Sequence, residues 1–114
     1  MHSVPVTLTA RQWATIDATM DNAVHAAIDD YLDHAPAMEI REAGWAQVPW
    51  VGAEKQWPPD GQLISIELSD DQWDLVFAEL ASSDASYVRL GDEAGRALGQ
   101  DAAAALRGGL PGRS

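Results

Sequence analysis

Two hydrophobic periods alternate along the chain. Val4–Leu8 reads as a short strand, and Pro5 suits an edge position or a strand start. Trp13, Ile16, Met20, Val24, Ala27, Ile28 and Tyr31 then recur at spacings of three and four. That stripe predicts one amphipathic helix over Ala10–His34. Pro36 is its expected stop, because the residue before a proline is steered away from the helical region. Ala37–Ala46 has room for one or two further helical turns, interrupted by Gly44.

The stretch VPWVGAEKQWPPDG, from Val48 to Gly61, breaks the pattern. Its PPDG end predicts a turn: proline presets φ, aspartate bonds its own backbone and glycine accepts a positive φ. Leu63–Leu68 alternates apolar and polar positions and reads as a strand, with Val48–Trp57 as its expected hairpin partner. Asp70–Ala81 predicts a second helix burying Trp73, Val76, Phe77 and Leu80. SSDAS at Ser82–Ser86 reads as a loop, Tyr87–Leu90 as a brief extended segment, and Asp92–Arg107 as a third, alanine-rich helix. The tail from Gly108 is expected to fray.

One short pattern occurs twice. LTARQW at Leu8–Trp13 returns sixty positions later as LSDDQW at Leu68–Trp73. Thr9 and Ser69 suit N-caps, and Gln12 and Gln72 complete a capping box. Leu8 with Trp13, and Leu68 with Trp73, have the spacing of a hydrophobic staple. Local helix-start chemistry therefore accounts for every matched residue without a shared ligand. A duplicated β-α-α unit is the wider reading, supported by the matched strand before each cap and the looser echo of Arg41–Gly44 in Asp92–Gly95.

Composition narrows the classes. At 114 residues, 46% hydrophobic and 22% charged, the chain suits one globular domain. With no cysteine, disulfides, thiolate metal sites and cysteine nucleophiles are excluded. No apolar run is long enough to cross a bilayer, and the first fifteen residues lack the pattern of a secretory signal. The cytoplasm is the expected compartment. Eighteen acidic residues against seven basic ones give a net charge of −11. That field repels phosphate backbones, so direct nucleic-acid binding is disfavoured, and it attracts basic proteins or cations.

Four constellations are candidates for function. Asp17, Asp21, His25, Asp29 and Asp33 lie four apart, with Asp30 and His34 alongside. They make either a solvated face, a docking ridge for a basic partner, or a weaker case for metal ligation by His25 with its neighbouring aspartates. Trp45, Trp50 and Trp57 fall within thirteen residues in the proline-broken segment. They either cover a small sheet or anchor a sugar or peptide ligand. Gly91, Gly95, Gly99 and Ala103 form a smooth strip, for close packing within the chain or across a homodimer, or else mark a weak helix. Serine, histidine and carboxylates are present, but no catalytic, phosphate-binding or dinucleotide motif is.

The resulting expectation is an α+β single domain over 1–114. It has a small two- or three-stranded sheet with three to four helices on one face. A pseudo-twofold β-α-α repeat would have units at 4–47 and 62–107. The leading function is a non-enzymatic, acidic interaction module without metal or cofactor, of which an inhibitor or antitoxin-like partner of a basic protein is one form. The alternatives are a small-molecule or carbohydrate-binding module built on the tryptophans, and a metal protein or minor enzyme.

Overall fold

The computed structural model describes residues 3–26 and 31–110, the side chains of 26 and 31–34 excepted. The order is β1 (Ser3–Thr9), α1 (Ala10–Ala26), α2 (Tyr31–Gln47), β2 (Leu63–Ser69), α3 (Asp70–Leu90) and α4 (Glu93–Gly109). It is an α+β fold of two antiparallel strands and four helices.

The strands pair over their full length. Val6 faces Ile66, Val4 faces Leu68 and Leu8 faces Ile64. Exchanging residues sixty apart therefore maps the ladder onto itself, with Val6–Ile66 at its centre. The inward side chains Val6, Leu8, Ile64, Ile66 and Leu68 are buried, whereas Pro5, Thr7, Ser65 and Glu67 on the other face are exposed. Alternation along both strands thus buries one face under the helices and leaves the other to water.

Each strand runs directly into a helix. The Gln12 amide donates to Thr9 Oγ1 (3.1 Å), and the Thr9 amide donates to Gln12 Oε1 (2.8 Å). Ser69 and Gln72 exchange the same pair of bonds at 3.2 and 2.9 Å. Both capping boxes are therefore closed. The start of α1 is further fixed by the loop before β2, since the amides of Ala10 and Arg11 donate to the carbonyls of Gln62 and Asp60. The turn read at PPDG closes one residue along, with the Gln62 amide on the Pro59 carbonyl, and Gly61 there does not take the expected positive φ.

One residue past each box's glutamine, Trp13 and Trp73 point into the core, both fully buried. Their rings meet edge to face, centroids 6.4 Å apart at 84°, a favoured aromatic arrangement. Trp73 donates its indole N–H to the Val4 carbonyl (2.9 Å). Trp13 has no hydrogen-bond partner among the described residues and instead lies against the backbone of α2 at Gly44. A methyl group on Gly44 would clash with the Trp13 ring.

Several expectations are corrected. The single helix over Ala10–His34 is replaced by α1 and α2, which lie side by side. Arg41 of α2 reaches Asp17 and Asp21 of α1, a contact that one continuous helix forbids. Pro36 does not stop a helix but lies inside α2. The missing N–H costs one helical bond, and the burial of Ala37, Ile40 and Gly44 against the core offsets that cost. Gly44 likewise interrupts nothing, because its missing side chain is what lets α2 approach Trp13. Ala27, Ile28 and the Tyr31 side chain lie outside the described residues.

SSDAS is not a loop, nor is Tyr87–Leu90 extended; both continue α3. The Ser86 hydroxyl donates to the Ser82 carbonyl one turn back, and Asp84 accepts from Arg96 and Gln100 of α4. Ser and Asp weaken an isolated helix, but here they are consumed by local and cross-helix bonds. The helix ends at Gly91 in the left-handed conformation, with the Asp92 amide on the Tyr87 carbonyl. The remainder of the small-residue strip divides its roles. Gly95 admits the Tyr87 ring, while Gly99 meets nothing within 4 Å.

Val48–Trp57 does not pair with β2. Its only bridge among the described residues is internal, Val51 with Gln56. The outer edge of β2 is covered by one side chain instead: the Gln47 carboxamide donates to the Glu67 carbonyl (2.9 Å) and accepts from its amide (2.6 Å). A single glutamine thus occupies the position of a third strand. The tail is held further than expected, because α4 reaches Gly109 and Leu110 is buried.

Gly44→Ala should lower stability by about 2–3 kcal/mol through overpacking against a buried indole. Gly99→Ala, in an open helical position, should raise it by about 0.5–1 kcal/mol. Urea denaturation of the two variants checks both signs.

Candidate functional site

The acidic ridge and the tryptophans, separate in sequence, meet through one arginine. Arg41 lies on α2 four residues before Trp45, so both occupy one helical face. Its Nε donates to Asp17 Oδ1 (3.1 Å) and its Nη2 to Asp17 Oδ2 (3.3 Å), a two-pronged grip. Nη1 donates to Asp21 Oδ1 at 2.6 Å. The guanidinium carbon lies 4.8 Å from the centre of the Trp45 ring, within cation–π range. Burial disfavours the charged guanidinium, but the bonds and charges of Asp17 and Asp21 outweigh that, and its pKa is raised.

From Trp45 the contacts continue outward. The Trp50 indole N–H donates to the Trp45 carbonyl (2.9 Å), and Trp50 lies 4.6 Å from Trp57 between ring centres, tilted at 56°. The segment carrying them is a small hairpin. The amides of Val51 and Gln56 each donate to the other's carbonyl, at 2.8 and 3.0 Å. Gly52 and Lys55 close the turn, both with positive φ. Val48 and Pro58 are buried at its two ends. Trp45 and Trp50 are half-buried, and Trp57 is 39% exposed beside the exposed Val51. Trp45, Ala46, Val48, Trp50 and Lys55 line an open cleft of about 550 Å³.

The candidate residues therefore have unequal positions. Asp17 is buried and fully engaged by Arg41; Asp21 is half-buried and shared between Arg41 and His25, whose Nδ1 lies 3.3 Å away. His25 is exposed. Asp29 and the Asp33 side chain lie outside the described residues, as do those of Asp30 and His34. Among the described residues no group of three or more His, Asp or Glu side chains is placed to hold a metal ion. Glu39 and Glu42 on α2 and Glu54 in the hairpin turn are exposed, so negative charge remains on the two elements that carry the tryptophans.

Arg41 and Lys55 were not among the residues the sequence singled out. For Arg41 the signal was its four-residue spacing from Trp45, legible only once the segment is known to be a helix. For Lys55 it was a four-residue turn between Val51 and Gln56. Comparison of the chain with protein-family models, curated proteins and solved structures returned no match.

Arg41→Ala should destabilise the fold by about 3 kcal/mol, since it leaves the buried Asp17 carboxylate without its cation. A raised arginine pKa stabilises the fold wherever arginine is charged, and that contribution is lost only as pH climbs through the arginine range. The destabilisation should therefore be the same at pH 6 and pH 9, as read by thermal melting.

Proposed function

We propose that this protein is an acidic docking module that binds a basic protein through the face where α2 and the Val48–Gly61 segment meet. The observation that carries the reading is the unbroken chain of contacts Asp21–Arg41–Trp45–Trp50–Trp57. It supports the reading in three ways. The inner tryptophans are held by the fold, so little side-chain entropy remains to be lost on binding. The outer one, Trp57, presents a large ring beside Val51, as a central anchor does. Exposed carboxylates on the same two elements, within a net charge of −11, favour encounter with a basic surface.

The ridge contributes differently from its appearance in the sequence. With Asp17 and Asp21 gripped by Arg41, their role in this proposal is to position the tryptophan face. Direct attraction falls to the exposed Glu39, Glu42 and Glu54. An inhibitor or antitoxin-like protein would use such a face.

Affinity capture on the immobilised protein tests the proposal. Basic proteins should bind at about 50 mM salt and be released by about 500 mM, as screening of surface charge requires. Trp57→Ala should remove capture while the melting temperature stays nearly unchanged, and Glu39→Gln with Glu42→Gln should weaken it. Capture that ignores salt and all three replacements would overturn the reading.

A further inference from the structure

Lys55 is the chain's one lysine and is exposed. It is also the only residue other than glycine with a positive φ among the described residues, at 52°. An L side chain in this region crowds its own backbone, and glycine or asparagine is favoured there. The position is set by the tight turn from Gly52, whose carbonyl accepts the Lys55 amide at 3.2 Å. Glycine would serve that turn better than lysine. The strain therefore points to a use for the side chain, and it has none within the fold. Among the described residues no carboxylate lies within ion-pair distance of its ammonium, and no aromatic ring takes it in a cation–π contact.

Lys55 instead lines the cleft of about 550 Å³ whose other walls are Trp45, Trp50, Ala46 and Val48. That volume lies in the range of small-ligand sites. The Trp50 indole N–H is already spent on the Trp45 carbonyl. The two rings offer apolar surface, and Lys55 is the one charged group on the wall.

We propose that this cleft binds a small amphipathic carboxylate, a planar apolar body with one acid group. The body lies between Trp45 and Trp50, and the carboxylate ion-pairs with the Lys55 ammonium. In a protein of net charge −11 the local cation is what makes an anion welcome here. The proposal is independent of the docking reading, which assigns Lys55 nothing.

The test uses 3-phenylpropionate as the acid and 3-phenylpropanol as its neutral counterpart, followed by the indole N–H and backbone amide signals in NMR titrations. The acid should shift the indole signals of Trp45 and Trp50 saturably below about 10 mM and bind about tenfold more tightly than the alcohol. Lys55→Gly should raise the denaturation midpoint and erase the preference for the acid, and Lys55→Arg should retain it. Gain of stability with loss of acid binding is a pairing that a purely structural lysine would not give. Equal binding of acid and alcohol, no saturation by about 10 mM, or unchanged acid binding in Lys55→Gly would each overturn the proposal. Lys55→Gly should leave capture of basic proteins undiminished, so the two readings fail separately.

Discussion

The edge-to-face contact between Trp13 and Trp73 is the interaction on which the other layers depend. Two strands alone make a marginal sheet in water, and here the covering layer is brought to them by chain connection. Each strand passes straight into a helix, each helix start is fixed by a closed capping box, and the next residue in each case is the tryptophan. The indoles therefore arrive over the apolar sheet face from both ends and meet above it. Once they occupy that space, α2 can approach only where it has no side chain, at Gly44.

That approach places the functional candidate. With Gly44 against Trp13, the neighbouring turn of α2 brings Arg41 over α1, where Asp17 and Asp21 receive it. Trp45 then projects from the same helical face, under the guanidinium. A buried ion pair is weak support for net stability, because desolvation offsets the Coulombic gain. Its effect here is geometric: it fixes the rotation of α2 and so the direction in which Trp45 and the segment beyond it face. The outermost carboxylate–tryptophan surface is thus set by packing within the same last turns of α2.

Features specified by nearest neighbours were legible in the sequence. Thr9, Ser69 and their glutamines mark both helix starts, and the alternation of Val4–Leu8 and Leu63–Leu68 marks both strands with their buried faces. What was not legible depends on residues far along the chain. Pro36 and Gly44 are helix breakers by local preference and sit inside α2 because the core lies against it. Ser82–Ser86 has the composition of a loop and is helical because α4 supplies Arg96 and Gln100 to Asp84. Among the described residues no third strand joins β2, for a similar reason, since Gln47 already holds the Glu67 backbone. At the candidate site the tryptophans and aspartates were visible separately. Their union through Arg41 required knowing that α1 and α2 pack side by side in place of one helix over Ala10–His34.

The order β-α-α occurs twice, and the strand ladder is symmetric under exchange of residues sixty apart. Against that regularity stand two features. Trp73 has a hydrogen-bond partner where Trp13 has a glycine-backed contact. More important, the Val48–Gly61 segment joins the two halves and belongs to neither. A packed core is served by the shared features: caps, the buried tryptophan after each, and one buried face. The unshared segment adds little to that core, with Val48 and Pro58 its buried residues, and it carries Trp50, Trp57 and the strained Lys55. Exposed aromatic surface and a left-handed lysine both cost stability. Their concentration in the long connection between α2 and β2, outside the regular frame, is what supports the proposed sites there.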